Sequence, residues 1–94
     1  FMEVNPVYTL TFSQQALKDI QYFKKLGNAA LLKKIDKLLA ELECHPATGT
    51  GQVEALRFDL TGYWSRRINS EHRILYDIQE DKKVVAIYKL RGHY

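Results

Sequence analysis

The apolar residues of this chain change period once, and that change limits the folds open to it. A helix buries one stripe that repeats about every 3.6 residues, whereas a half-buried strand alternates every two. Between Gln14 and Leu42 the apolar residues follow the first rule, and from Val53 onward they follow the second. A chain of this kind must lay a helical layer on a sheet, because neither layer can bury its apolar side alone.

The boundaries can be read residue by residue. Val7 to Phe12 is β-branched and aromatic and predicts a short first strand. Ser13 is placed to cap a helix from about Gln14 to Leu26, with Ala16, Leu17, Ile20 and Phe23 at helical spacing and Gly27 as its stop. Asn28 can cap a second helix, whose stripe is Leu31, Leu32, Ile35, Leu38, Leu39 and Leu42 and which ends before Pro46. Residues 46–52 are loop by composition. From Val53, Leu56, Phe58 and Leu60 alternate with Arg57 and Asp59 as a strand would, and Thr61-Gly62 forms a turn. Tyr63 to Asn69 and Arg73 to Ile78 read as two more strands, and Glu80-Asp81-Lys82-Lys83 as a turn before a last strand, Val84 to Leu90. The order β-α-α-β-β-β-β implies an α+β fold, a helical hairpin packed on a small, largely antiparallel sheet.

Length and composition narrow the class. Ninety-four residues predict one domain spanning 1–94, with Phe1 a remnant ahead of a native start at Met2. Hydrophobic content of 46% and charged content of 27% suit a globular chain rather than a disordered one. No apolar run reaches the roughly 18 residues of a membrane span, and no signal-peptide pattern opens the chain. The lone Cys44 excludes an internal disulfide and suits a reducing, cytoplasmic setting.

A net charge of +3 is mildly basic, but the placement of the charge is more informative. Arg57, Arg66, Arg67 and Arg73 lie within seventeen residues, opposed there only by Asp59 and Glu71, and Lys89 and Arg91 follow. Such a run is either a solvated strand face or a surface for an anionic partner. Two groupings carry candidate chemistry. One is Glu54, just after a Gly-rich loop, with Arg57 three residues on. The other is the terminal Arg91-Gly92-His93-Tyr94. A carboxylate, an imidazole and several guanidiniums suit acid–base cleavage of a phosphodiester. A base takes a proton from the attacking oxygen, an acid protonates the leaving oxygen, and cations hold the developing charge. His72 reads as a structural hydrogen-bonding residue and Trp64 as core. Cys44-His45 lacks the two further ligands a metal site needs, so no metal and no cofactor is expected.

Longer stretches resemble a known family. Leu60-Thr61-Gly62-Tyr63-Trp64-Ser65-Arg66-Arg67-Ile68, then Glu71-His72-Arg73-Ile74-Leu75-Tyr76, are similar to the signature of YoeB/Txe toxins of the RelE/ParE superfamily. Gly49-Thr50-Gly51-Gln52-Val53-Glu54-Ala55-Leu56 resembles their Gly-x-Gly-x-Pro-Glu-x-Leu stretch, and the chain ends in His93-Tyr94 as theirs do. Val53 stands where the family usually has proline, and Arg57 where it usually has lysine.

The resemblance implies a toxin of a toxin–antitoxin system that cuts mRNA in the ribosomal A site, using the substrate's own 2′-OH as nucleophile. It assigns Glu54 as general base and His93 as general acid. Arg67 and Arg73 would hold the scissile phosphate or support the site, and Tyr94 would shape it. Arg57, Arg66, Lys89 and Arg91 are then expected to bind RNA. The implied partners are mRNA and the ribosome, a cognate antitoxin of the YefM/Phd/Axe kind, and a second copy in a homodimer, with no membrane. Two other readings stay open on sequence alone. One is a non-catalytic ParE-like toxin that binds DNA gyrase, and the other is a ribosome- or RNA-binding module.

Overall fold

The computed structural model describes residues 7–92. Phe1, Met2, His93 and Tyr94 lie outside the described residues, so what the sequence implies for them stands as expectation. The strand β1 spans Thr9–Phe12 and leads through Ser13 into α1, Gln14–Leu26. Ser13 Oγ accepts from the amide of Ala16, and Gly27 closes the helix in the left-handed conformation (φ 68°), a geometry that suits a residue with no Cβ. Asn28 caps α2, Ala29–Cys44, by accepting from Leu31 N. The remaining strands are β2 (Glu54–Ala55), β3 (Trp64–Arg67), β4 (Arg73–Gln79) and β5 (Val84–Lys89).

These strands form one sheet in the order β1-β5-β4-β3-β2. The pairs β2–β3, β3–β4 and β4–β5 are antiparallel, while β1 returns to lie parallel to β5. The two helices cover one face. Phe23, Ile35, Leu38 and Leu42 from the helices meet Ile74, Tyr76, Val85 and Ile87 from the sheet, and Trp64 packs at the margin. The α+β expectation therefore holds, and the helical stripes read from sequence face the core except for Leu17, which is 53% exposed.

Two expectations need correction. The alternation of Leu56, Phe58 and Leu60 does not make a strand. Pairing with β3 stops after Ala55, apart from one bond from Leu56 N to Tyr63 O, and residues Phe58–Leu60 form a single 3₁₀ turn. Phe58 takes φ 59° and is 91% exposed, so its ring has no layer to pack against at this sheet edge.

The second correction concerns Arg66, expected to bind RNA. Its side chain is fully buried on the helical side of β3 and cannot face a phosphate. Nη1 of Arg66 bonds Glu41 Oε1 at 3.1 Å, and Nη2 donates to the carbonyls of His45 (2.8 Å) and Thr48 (2.7 Å). A buried guanidinium requires such partners, because a desolvated charge without them is very costly. The same Glu41 oxygen accepts from Thr50 N at 2.8 Å, and Tyr76 donates its hydroxyl to Pro46 O at 2.6 Å. Together these bonds fasten the end of α2 and the 46–52 loop to the sheet.

Partial burial acts to raise the pKa of Glu41, but the Thr50 N–H bond and the Arg66 charge outweigh it and hold the carboxyl below its ordinary value. A carboxyl with a depressed folded-state pKa stabilises above the unfolded pKa, and that stability is lost as pH falls through the folded pKa. Glu41→Ala should therefore lower unfolding free energy by about 3 kcal/mol near neutrality, since it strands the Arg66 charge in the interior. The difference from the parent should shrink at an acidic pH below that lowered value. Urea titration at both pH values checks this, and an unchanged midpoint at neutral pH would refute the role given to the pair.

Candidate functional site

The strand register gathers the site. Residues paired across neighbouring strands share a sheet face, as do residues two apart on one strand. Glu54 pairs with Ser65, Arg67 lies two residues beyond Ser65, and Arg67 pairs with Arg73. Glu54, Arg67 and Arg73 therefore fall on one face, opposite the helices. Arg66 pairs with Ile74 on the other face, in the core. Two adjacent arginines of one strand are thus divided between interior and surface.

Arg67 is half-buried and held at both ends of its guanidinium. Nε donates to Asn69 O at 3.1 Å and Nη1 to Gln52 Oε1 at 3.4 Å. Beside it opens a shallow cavity of about 250 Å³, to which Lys34, Gln52, Asn69 and Ser70 also contribute. Arg73 is half-buried and Glu54 exposed. Further along this face Tyr88 donates its hydroxyl to Asp77 Oδ2 at 2.8 Å, and the rings of Tyr63 and Tyr88 meet edge-on at 5.4 Å. The bond to the Asp77 carboxylate, reinforced by burial, pushes the Tyr88 phenol up to about 12. Tyr88 thus stays neutral near physiological pH and acts there as a donor rather than a base.

The loop that delivers Glu54 depends on its glycines. A Cβ on Gly51 would sit 2.7 Å from the Arg67 carbonyl and 2.8 Å from Arg66 Cγ, and the residue takes φ 97°. Gly51 lies this close because its carbonyl accepts the Arg67 amide, the contact that locks the loop against β3.

Of the other expected cations, only Lys89 is placed on this face by strand register, through its pairing with Leu75, two residues past Arg73. Arg57 is exposed and leaves the sheet before the 3₁₀ turn, so loop geometry rather than strand alternation sets its direction. Lys89 is half-buried opposite Leu75. Arg91 is exposed, with its guanidinium carbon 3.6 Å from the Tyr22 ring centroid of α1, a cation–π stack.

Beyond β5 the chain is tied down by two residues. Leu90 N and Arg91 N both donate to Asp19 Oδ2, at 2.9 and 3.1 Å. Gly92 N donates to His72 Nδ1 at 2.8 Å, and Gly92 O accepts from Arg73 N at 3.1 Å. The hydrogen-bonding part read for His72 is borne out. Asp19 was not foreseen, although its signal is visible: it is an acid on the inward stripe of α1, between Ala16 and Phe23.

Chemically, the face offers a solvent-accessible carboxylate and two guanidiniums around an open surface. Such a set can bind a phosphodiester and accept a proton from a group beside it.

The chain is similar to known proteins in both sequence and fold. Residues 12–94 match the family described as YoeB-like toxin of bacterial type II toxin-antitoxin system. Toxin YoeB of Synechocystis sp. is 38% identical over 85 residues, covering 90% of this chain and 95% of that protein. The structure of a YoeB/ParE toxin from Agrobacterium tumefaciens superposes with a TM-score of 0.84 at 30% identity, covering 92% of this chain and 99% of that one. The Staphylococcus aureus protein has been solved in a heterotetrameric YoeB-YefM toxin-antitoxin complex, with TM-score 0.78 and 39% identity over 93% of this chain and 98% of that one. It has also been solved as a YoeB dimer, with TM-score 0.79 and 38% identity over 94% and 99%.

Proposed function

The chain belongs to the YoeB-like toxin family of bacterial type II toxin–antitoxin systems, and on that footing we propose that it is a ribosome-dependent endoribonuclease that inhibits translation by cutting mRNA. The observation that carries this reading is the convergence of Glu54, Arg67 and Arg73 on the uncovered sheet face. A gyrase-binding toxin or a passive RNA-binding module would have no need of a general base among those cations.

In the proposed reaction Glu54 takes the proton from the substrate 2′-OH. The 2′-oxygen attacks the adjacent phosphorus, and the bond from phosphorus to the 5′-oxygen breaks. His93 protonates that leaving oxygen, and Arg67 and Arg73 offset the charge that builds on the non-bridging oxygens. The products are a 2′,3′-cyclic phosphate, open to hydrolysis to a 3′-phosphate, and a 5′-OH. RNA supplies the nucleophile, so the reading assigns no step to a metal or cofactor, and DNA is not cut because it has no 2′-OH. Tyr94 shapes the site. Arg57, Lys89 and Arg91 contact RNA, and Arg66 serves the fold instead.

The same face is the natural target of a cognate antitoxin. The S. aureus relative is held by YefM, and a YefM-like partner presenting acidic side chains here would neutralise the arginines and close the site. The dimer of that relative supports a homodimer for this chain as well. Among the described residues no helix is long and apolar enough to cross a membrane. We place the toxin with its ribosomal target in the cytoplasm, acting as one domain.

Two measurements test the proposal. In a cell-free translation lysate, primer extension should reveal new mRNA 5′ ends with the parent protein. With Glu54→Gln they should fall by about 10²–10⁴-fold, because the amide keeps the shape but cannot take the proton. Ribosome affinity should stay within a few-fold, and full cleavage by the variant would remove Glu54 from the mechanism. Separately, ribosome binding should weaken steeply with added salt, as counterion release requires. Reversing the charge at Arg67 or Arg73 should flatten that dependence, and binding that is indifferent to salt in the parent would contradict an RNA-facing surface.

A further inference from the structure

The last β5 residue is Lys89, and beyond it a chain end would ordinarily fray. Here three successive amides after the strand, those of Leu90, Arg91 and Gly92, all donate to side chains. The two acceptors are themselves fixed. Asp19 is 2% exposed, and its second oxygen accepts from Gln15 Nε2 at 2.8 Å. His72 packs its ring edge-on against Phe23 at 5.0 Å. Its own amide donates to Asn69 Oδ1 at 2.9 Å, and its carbonyl accepts from Ile68 N at 2.9 Å.

Burying a carboxylate is expensive unless hydrogen bonds replace its water. Asp19 bears that cost under the sheet and directs one oxygen wholly at the C-terminal backbone. His72 stands next to Arg73, whose amide donates to Gly92 O. The segment that positions a phosphate-binding arginine is therefore the segment that fixes the residue before His93.

We propose that Asp19 and His72 are positioning residues, a two-point clamp that sets where the terminal His93-Tyr94 enters the reaction centre. The proposal rests on the reading above that His93 is the general acid. An acid held about 1 Å out of place can cost on the order of 10²-fold in rate. Setting the acid to that tolerance requires a fixed base at Gly92, the residue before it.

The decisive variant is His72→Phe. It keeps a ring against Phe23 and all main-chain bonds of residue 72 but cannot accept the Gly92 amide. Asp19→Ala removes the other acceptor, and Asp19→Asn restores an oxygen to the same place. Melting, amide exchange at Arg91 and Gly92 by NMR, ribosome affinity and the single-turnover cleavage rate are measured together, with His93→Gln alongside.

His72→Phe should melt close to the parent, exchange its Gly92 amide at least about ten-fold faster, and cleave about 10- to 100-fold more slowly at near-parental ribosome affinity. Asp19→Ala should do the same at Arg91, and Asp19→Asn should recover most of the rate. If the buried Asp19→Ala fails to fold, His72→Phe and Asp19→Asn decide. Unchanged exchange, or faster exchange with full cleavage while His93→Gln is inactive, overturns the clamp. A rate loss that tracks melting temperature or ribosome affinity overturns it as well. Full activity of His93→Gln would instead overturn the underlying assignment of the acid, and the exchange data would still report whether Asp19 and His72 hold the terminus.

Discussion

The structure depends most on one buried cation. The Arg66 guanidinium lies inside the sheet–helix layer and reaches across to Glu41, His45 and Thr48. A charge so placed tolerates few arrangements, because N–H groups that lose water need acceptors; among the described residues the two terminal nitrogens of Arg66 find them and Nε does not. The end of α2 and the loop after it supply those acceptors and are drawn down onto β3. The Gly51 carbonyl then meets the Arg67 amide, and Glu54 enters the sheet three residues later, opposite Ser65. The position of the carboxylate is thus a consequence of how an arginine on the other face is satisfied.

This arrangement gives neighbouring residues opposite tasks. Arg66 serves the interior and Arg67 the open face, and a one-residue slip of β3 would exchange them. Two links guard the register: the Arg66–Glu41 pair on one side and the Arg67–Gln52 bond on the other. His72 extends the same logic past the β3–β4 turn, where it meets the end of β5 and brings the C-terminal segment to Arg73. Stability on the helical side and geometry on the open side are set by the same short stretch, residues 64–73.

Much of this was legible in the sequence. The caps Ser13, Asn28 and Gly27, the helical stripes and the strands β3 to β5 follow from local rules that tertiary packing did not override. Glu54, Arg67 and Arg73 stood out through a family pattern, and register joins them on one face. Where the reading failed, the cause is non-local. Leu56, Phe58 and Leu60 alternate correctly, yet at the sheet edge they find no layer, and Phe58 stays exposed. An Arg-Arg doublet has no contrast in hydrophobicity, so sequence alone groups Arg66 with the surface cations. The clue lay two residues to either side, where Trp64 and Ile68 mark its face as the inner one. Asp19 was passed over because its partners are the backbone amides of residues 90 and 91, about as far away in sequence as the chain permits.

The central claim is that this open face lets RNA attack itself. It is tested most directly by programming ribosomes with an mRNA whose cleaved position carries a single 2′-deoxyribonucleotide, with the toxin present. The account predicts that the toxin still binds the complex but that cutting at the substituted position disappears. On unmodified mRNA the upstream fragment should end in a 2′,3′-cyclic or 3′-phosphate and the downstream fragment should begin with a 5′-OH. Cleavage at the deoxy position at the parental rate would contradict the account, because the nucleophile would then come from somewhere other than the RNA.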